Sequence, residues 1–283
     1  MSRNPRQINA DLHCHSHVSD GLLAPAQVAR RAHAQGVQVW ALTDHDEVGG
    51  LQEARDAARA LGMRFVPGVE ISVTWAGETI HVVGLDIDFR DAALLAGLAK
   101  TRGGREQRAR DMAECLAEVG IPGAFDGALK FVGNPDLISR THFARFIVDA
   151  GYCKDVTEVF ANYLADGKPG FVPHRWAKLS DAVSWIRQAG GVAVIAHPGR
   201  YALDDPAMWS LLSEFRDAGG AALEVVSGSH APEHLSIFAA HARQFGFKAS
   251  RGSDFHGPGE SHIELGCVPA VPESVVPVWS DWV

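Results

Sequence analysis

Fourteen histidines occur in this chain of 283 residues, and several of them lie beside acidic residues. The first such group is Asp11-Leu12-His13-Cys14-His15, which is followed by Ser19-Asp20-Gly21. Alternate residues of a strand point to the same side, so His13 and His15 can reach one metal ion together. A chance His-x-His is expected roughly once in a chain this rich in histidine, so the pair is informative only together with its surroundings.

Further imidazoles and carboxylates follow later apolar segments in a similar way. They are Asp44-His45-Asp46, Glu70, His81, His197, Asp254 and His256. Side chains at the carboxyl ends of several parallel strands converge at one edge, where barrel enzymes build their active sites. A donor set of His, Asp and Glu without thiolate suits manganese, zinc or iron. A carboxylate can also bridge two ions, an arrangement that clamps a phosphoryl group during transfer.

Seven short apolar segments, which the pattern predicts as buried strands, must position these side chains. They are Gln7–His13, Val37–His45, Arg64–Ile71, Thr79–Ile87, Gly191–His197, Ala222–Ser227 and Phe247–Asp254. Amphipathic helices are predicted at Pro25–Gln35, Val48–Leu61, Leu179–Ala189, Pro206–Ala218 and Pro232–Phe245. The alternation predicts an α/β fold with right-handed crossovers, either a seven-stranded barrel or an open doubly wound sheet.

The alternation is interrupted between Asp91 and Arg175. Here the pattern predicts three helices, at Ala92–Val119, Ser139–Ala150 and Val156–Leu164. A helical insert that begins just after a strand's carboxyl end is well placed to cover an active site. We therefore expect a barrel domain formed by residues 1–96 and 177–283, with a helical insert, residues 97–176, that caps its C-terminal face.

Composition and charge exclude several classes of protein. Lys plus Arg number 26 against 34 for Asp plus Glu, a net charge of −8 that argues against a broad face for duplex DNA. Apolar residues at 46% and charged residues at 21% exclude a mainly disordered chain. We expect no membrane span and no signal peptide. The four scattered cysteines argue against a disulfide framework, so a cytoplasmic location is expected.

As a set, the motifs resemble the polymerase and histidinol phosphatase (PHP) family of phosphoesterases over nearly the whole chain. They are H-x-H with S-D-G, T-D-H-D, P-G-x-E, A-H-P and S-D-x-H, in that order. The insert motifs S-R-T-H-F-A-R and G-K-P-G-F-V-P-H-R-W-A resemble a bacterial branch of nucleoside 3′,5′-bisphosphate phosphatases and exonucleases of short 5′-phosphorylated RNA. The resemblance implies a distorted seven-stranded (β/α)7 barrel, in agreement with the number of predicted strands.

The resemblance also implies nine metal ligands, which are the predicted catalytic residues, in three groups. The first ion would be held by His13, His15, Glu70 and Asp254. The second ion would share Glu70 and add His81 and His197. The third ion would be held by Asp20, His45 and His256. Two or three divalent ions per chain are expected, with manganese favoured and zinc or iron as alternatives.

Polar residues in or near the insert are the candidates for binding substrate phosphate. They are Arg105, Arg108, Arg140, Thr141, Lys168 and Arg200. Arg105 and Arg108 share a helix face and could bind one phosphate together, whereas the alternative is a solvated helix face. Asp44 and Asp46 are interpreted as groups that orient the ligands rather than as ligands.

The resemblance implies hydrolysis of the 3′-phosphate of nucleoside 3′,5′-bisphosphates, with the insert's cations holding the 5′-phosphate. Three alternatives remain open: a 5′-3′ exoribonuclease acting on short 5′-phosphorylated RNA, a histidinol-phosphate phosphatase, and a non-catalytic metal-binding module. The expected partners are therefore a small nucleotide or a short RNA, and neither duplex DNA nor a membrane.

Overall fold

The computed structural model describes residues 4–283, and within them seven strands form one sheet in chain order. The strands are β1 (Ala10–Asp11), β2 (Val39–Leu42), β3 (Arg64–Trp75), β4 (Glu78–Leu85), β5 (Val192–Ile195), β6 (Ala222–Ser227) and β7 (Lys248–Gly252). Backbone hydrogen bonds join the first strand to the last: Leu12 donates to Arg251 at 3.0 Å, and Asp254 donates to His13 at 2.8 Å. The sheet is therefore nearly closed, which confirms the predicted barrel over the open doubly wound sheet.

The fourth strand differs from the prediction in its direction. β4 runs antiparallel to both β3 and β5, so the parallel orientation implied for it was wrong. The chain turns at Ala76 and Gly77, both with positive φ, and joins β3 to β4 as a hairpin without a crossover helix. Because β4 is reversed, its start lies at the same edge as the carboxyl ends of the parallel strands, and His81 near that start reaches this edge.

Both faces of the sheet are buried, which explains why its strands are apolar at nearly every position. Val39 and Ala41 of β2 belong to a cluster formed largely by strand residues inside the barrel. Trp40 and Leu42 point the other way and pack in the cluster that includes the surrounding helices. The helices outside the insert are α1 (Pro25–Ala34), α2 (Leu51–Ala60), α8 (Leu179–Gln188), α9 (Asp205–Asp217) and α10 (His234–Phe245).

The region between β4 and α8 contains five helices in the described chain. They are α3 (Ala92–Arg102), α4 (Arg105–Glu118), α5 (Ala124–Leu129), α6 (Arg140–Asp149) and α7 (Val156–Val159), which continues as a π-helical turn over Phe160–Leu164. The single helix predicted over Ala92–Val119 is broken at Gly103 and Gly104, because Gly104 has a φ of +86° that ends the regular helix. Helix α5 was not predicted.

Packing separates the first of these helices from the rest. Leu94 and Leu98 of α3 pack in the barrel's cluster, and a Cβ on Gly97 would lie 2.3 Å from the Trp185 ring. A separate hydrophobic cluster begins at Ala109 and continues through α4, α5, α6 and α7. The expected start of the insert at residue 97 therefore falls inside a helix that packs on the barrel. None of the described helices has the length and hydrophobicity that crossing a membrane requires.

Candidate metal centre

The nine residues at the predicted ligand positions lie together at one end of the barrel. They form four overlapping groups, and within each group the ligand atoms lie within 4.8 Å of one another. The groups are His15, Asp20, His45 and His256; His13, His15 and Asp254; His13, Glu70 and His197; and His45, Glu70 and His81. Imidazoles from six different positions thus surround three carboxylates in a volume that suits a cluster of ions rather than a single one.

Glu70 lies at the centre of this arrangement and is fully buried. Its Oε1 is 2.9 Å from Nδ1 of His81 and 3.0 Å from Nε2 of His197. Its Oε2 is 2.9 Å from Nδ1 of His45 and 3.4 Å from Nε2 of His15. Oε1 also lies 3.3 Å from Nε2 of His13. Each oxygen therefore faces a different set of imidazoles, the geometry that one carboxylate needs to be shared between ions.

Many polar atoms in this cluster are buried and make no hydrogen bond to any described residue. They are Nε2 of His13, both ring nitrogens of His15, Oδ1 of Asp20, Nδ1 of His45, Oε2 of Glu70, Nδ1 of His81 and Nδ1 of His197. Burying so many unsatisfied atoms costs several kcal/mol unless a further group binds them. Divalent cations would bind the carboxylate oxygens and one lone-pair nitrogen of each neutral ring, so the residues present fit a metal cluster.

The pKa values of two imidazoles, His15 and His197, suit this interpretation, whereas nearby carboxylates raise the pKa of His13 and of His45. Burial and the neighbouring His256 and His45 lower the pKa of His15 to about 3. Burial, together with Arg200, lowers the pKa of His197 to about 3. Both rings are therefore neutral at pH 7 and present lone pairs. Burial alone would lower the pKa of His45, but the adjacent Glu70 and Asp20 raise it to about 9, so a cation bound there would displace a proton.

Carboxylates next to the cluster hold the segments that carry its ligands. Asp44 accepts hydrogen bonds from the backbone N–H and the hydroxyl of Ser16 at 2.7 Å and from the hydroxyl of Ser19 at 2.6 Å. These bonds fix the loop that connects His15 to Asp20. Sequence reasoning missed Glu224, a buried carboxylate on β6 that contacts ligands from two strands.

A cavity of about 110 Å³ opens onto the cluster and is lined by four of the predicted phosphate-binding arginines and by Thr141. The arginines are Arg105, Arg108, Arg140 and Arg200. Lys168 is exposed and does not belong to the lining, so the structure does not bring it to the cluster.

The lining residues are held in different ways. Arg105 forms a buried ion pair with Asp46 and lies 4.5 Å from the centroid of the Trp176 ring, so its charge is already neutralised. Thr141 donates to Oδ2 of Asp20 at 3.0 Å. Arg200, half exposed, donates to Oδ2 of Asp254 at 2.9 Å.

A second cavity, of about 320 Å³, adjoins the first. The two share Thr141, Phe160, Arg200, Asp254 and His256. Its other walls are largely polar and include Ser229, Glu260, Ser261 and His262. A group bound at Asp254 and His256 could therefore extend into either cavity.

A barrel with such a cluster of imidazoles and carboxylates at its mouth suits a metal-dependent hydrolase, an enzyme that uses bound ions to activate water. Residues 11–171 match the PHP domain family. The chain belongs to this family.

Comparison with curated proteins gives relatives that match over nearly their whole length. The chain is 50% identical over 273 residues to the 3′,5′-nucleoside bisphosphate phosphatase of Chromobacterium violaceum, and the match covers 96% of each chain. It is 40% identical over 269 residues to a 5′-3′ exoribonuclease of Haemophilus influenzae, with 95% of this chain and 97% of the relative covered.

Two solved structures resemble the fold closely. One is described as an amidohydrolase from Chromobacterium violaceum with bound SO4 and no metal. It superposes with a TM-score of 0.94 at 50% identity and covers 96% of this chain and 95% of that one. A putative metal-dependent phosphoesterase from Bifidobacterium adolescentis superposes with a TM-score of 0.82 at 26% identity, with 97% and 94% covered.

Proposed function

We propose that this enzyme hydrolyses the 3′-phosphate of nucleoside 3′,5′-bisphosphates, for example converting adenosine 3′,5′-bisphosphate to adenosine 5′-monophosphate and phosphate. The observation that carries the proposal is a pair of arginines, Arg108 and Arg140, on the wall of the cavity that opens onto the ligand cluster. A substrate with two phosphates matches a site with two places for an anion. The bisphosphate phosphatase that is 50% identical to this chain supports the same substrate class.

The two arginines are available to an anion because backbone carbonyls, rather than carboxylates, hold them. Nε of Arg108 donates to the Val172 carbonyl at 2.9 Å, and Nη1 of Arg140 donates to the Leu164 carbonyl at 3.4 Å. Burial and the nearby Arg140 and Arg105 lower the pKa of Arg108 to about 9, which shows that its charge is poorly compensated. A 5′-phosphate bound between them would supply the missing negative charge.

The nine clustered residues would hold two or three divalent ions, with manganese favoured, in the three groups that the resemblance implies. When bound, such ions polarise the phosphoryl oxygens and make hydroxide available at neutral pH. Arg200 lies beside Asp254, where its guanidinium would face the phosphoryl group and stabilise negative charge in the transition state. The helical insert, which the sequence places at residues 97–176, carries Arg108 and Arg140 and would act as the cap. Its first residues, up to the end of α3, would belong with the barrel on which they pack.

Phosphate release from adenosine 3′,5′-bisphosphate by the manganese-loaded enzyme tests this function, with adenosine 5′-monophosphate as the control. We expect release from the first and none from the second. Arg140→Ala should lower kcat/KM for the bisphosphate and leave hydrolysis of p-nitrophenyl phosphate unchanged, because only the former has a second phosphate to position. An equal loss on both substrates would contradict this role of Arg140. Asp254→Asn should fold and lose turnover, an outcome that a non-catalytic module cannot produce.

The second cavity favours a second activity, the removal of 5′ nucleotides from short RNA. In both reactions the bond between phosphorus and the 3′-oxygen is cleaved. In RNA the phosphate that leaves still carries the following nucleoside, and the cavity of about 320 Å³ could accommodate that nucleoside. The exposed Ser229 lies on its wall. Ser229→Phe should reduce cleavage of a 5′-phosphorylated dinucleotide and spare the bisphosphate, whereas equal effects on both would argue against this use of the cavity. Histidinol phosphate in the same panel should not be hydrolysed.

The expected partners remain a small nucleotide or a short RNA. We also propose a cytoplasmic location, which is supported by four cysteines that are all free thiols.

A further inference from the structure

Asp20 presents its two carboxylate oxygens to two different parts of the molecule. Oδ1 faces the cluster and lies 3.5 Å from Nε2 of His256, 3.9 Å from Nε2 of His45 and 4.0 Å from Nδ1 of His15. This oxygen makes no hydrogen bond within the described chain. Asp20 is almost fully buried, so Oδ1 is an unsatisfied acceptor aimed at three imidazoles.

Oδ2 of Asp20 is held by the insert. The hydroxyl of Thr141 donates to it at 3.0 Å, and the hydroxyl of Ser139 donates to it at 3.3 Å. Ser139 immediately precedes helix α6, and Thr141 lies in its first turn. Two donors from one helix end therefore hold the carboxylate of Asp20 in the orientation that points its other oxygen toward the imidazoles.

The same helix also holds the backbone of Asp20. Nη2 of Arg145 donates to the Asp20 carbonyl at 2.6 Å, and the guanidinium pairs with both carboxylate oxygens of Glu260 at 2.8 and 2.7 Å. Arg145 is buried, and Glu260 lies in the loop that follows β7. Helix α6 thus contacts the side chain and the main chain of Asp20 and is itself fixed to the barrel.

We propose that the helical insert completes one of the metal sites, because Thr141 positions Asp20 for an ion held by His15, Asp20, His45 and His256. The proposal rests on the metal centre of the proposed function and not on the identity of the substrate. It differs from the sequence-based expectation for Thr141, which placed this residue on the substrate phosphate.

The physical reason is the rotational freedom of a carboxylate. Without donors on Oδ2, the carboxylate of Asp20 could rotate so that neither oxygen points at the imidazoles, and the free-energy cost of ordering it would weaken the binding of the ion. Hydrogen bonds to the oxygen that faces away from a metal typically change metal affinity 10–100-fold. Because linkage is reciprocal, an ion at this site also stabilises the docked position of α6.

Two substitutions of Thr141 distinguish the effect of its hydroxyl from the effect of the rest of its side chain. Thr141→Val removes the hydroxyl at nearly constant volume, and Thr141→Ser retains it. Manganese stoichiometry and affinity are measured on the full chain, without substrate, by chelator competition and metal analysis. We expect Thr141→Val to bind one ion at least about tenfold more weakly and the others normally, and Thr141→Ser to bind all ions as the wild type does.

Hydrogen exchange in α6 provides a second readout that does not depend on turnover. Manganese should slow exchange of α6 amides in the wild type and in Thr141→Ser, and much less in Thr141→Val. Ser139→Ala, which removes the longer bond to Oδ2, should show a smaller effect in the same direction.

Wild-type manganese affinity in Thr141→Val would overturn the proposal. If that variant instead showed a raised KM for adenosine 3′,5′-bisphosphate with normal metal binding, Thr141 would be a substrate contact. Because the metal-binding and hydrogen-exchange measurements contain no substrate, an error in the proposed substrate leaves the test of Thr141 intact.

Discussion

Glu224 accepts a hydrogen bond from Nδ1 of His13 at 3.1 Å, and both side chains are buried. This bond leaves Nε2 of His13 facing Glu70 at 3.3 Å. The other oxygen of Glu224 accepts from the backbone N–H of His197, which has a φ of +26°. Gly252 makes room for the contact, since a Cβ there would lie 2.2 Å from Cβ of His13. One carboxylate on β6 therefore orients two predicted ligands, His13 and His197, that follow two other strands.

Glu224→Gln should weaken manganese binding about 10–100-fold without unfolding the protein. The amide preserves the volume but no longer favours the tautomer of His13 with the proton on Nδ1. Chelator competition measures the affinity. Glu233→Gln is a matched control at an exposed position and should bind manganese as the wild type does. Unchanged affinity in Glu224→Gln would show that the orientation of His13 does not depend on this carboxylate.

The clustering of the predicted ligands could be expected from the sequence because most of them lie at the end of a short apolar segment, where a His, Asp or Glu stands out. Glu224 gave a weaker signal, a carboxylate in the middle of the apolar strand Ala222–Ser227. Its partner His13 lies 211 positions away, and only the order of strands in the barrel brings the two together. No local pattern encodes such a contact.

Arg105→Met should lower the free energy of unfolding by about 3–5 kcal/mol, because it leaves the carboxylate of Asp46 buried without its cation. The carboxylate of Asp46 would keep only its bonds to Ser72, from the backbone N–H at 2.8 Å and from the hydroxyl at 2.9 Å. Urea unfolding followed by circular dichroism measures the change. A stable variant with a raised KM for the bisphosphate would instead identify Arg105 as a phosphate ligand.

The double variant Asp46→Asn/Arg105→Met provides the control for this pair. Removing both charges should recover part of the stability that Arg105→Met loses, since no isolated buried charge remains. If the double variant lost as much stability as the two single variants together, the ion pair would make no contribution of its own.

Two differences between the predicted and the observed fold, the reversed β4 and the break between α3 and α4, could have been recognised in the sequence. Residues 72–78, between the third and fourth predicted strands, are too few for the crossover that parallel strands need, which takes a dozen or more residues. The hairpin and the reversed β4 follow from that length. The pair Gly103-Gly104 is likewise a helix breaker within the segment predicted as one helix. The packing of Arg105 on Trp176, by contrast, depends on how the insert docks and has no counterpart in local sequence.

His230 should make the stability of the protein depend on pH between about 4 and 6.5. Its Nε2 accepts from the backbone N–H of Gly199 at 3.2 Å, next to Arg200 at the cavity, and burial lowers its pKa to about 4. In this range the unfolded chain binds a proton that the folded chain does not. The stabilisation is therefore present above pH 6.5 and is lost as the pH falls toward 4.

His230→Gln keeps an acceptor but does not titrate, so it isolates this effect. The unfolding free energy of the variant minus that of the wild type is the quantity to compare. Between pH 7 and pH 5 this difference should change by about 2 kcal/mol in favour of the variant. Urea unfolding at the two pH values measures it. A difference that is the same at both would mean that His230 titrates normally in the folded protein.

Removal of the metal ions should destabilise the protein as well as inactivate it. Glu70 and its surrounding imidazoles are buried with unsatisfied atoms, so the ions bind the folded chain far better than the unfolded one. At a free manganese concentration a thousandfold above its dissociation constant, one site contributes about 4 kcal/mol. We expect a chelator to lower the free energy of unfolding by at least this amount and added manganese to restore it.

Two variants provide the control for this prediction. Asp254→Asn should gain less unfolding free energy from manganese than the wild type, whereas Asp217→Asn, at an exposed surface position, should show the full gain. If a chelator left the unfolding curve of the wild type unchanged, the cluster around Glu70 would not be a metal centre, because no group would then be satisfying its buried atoms.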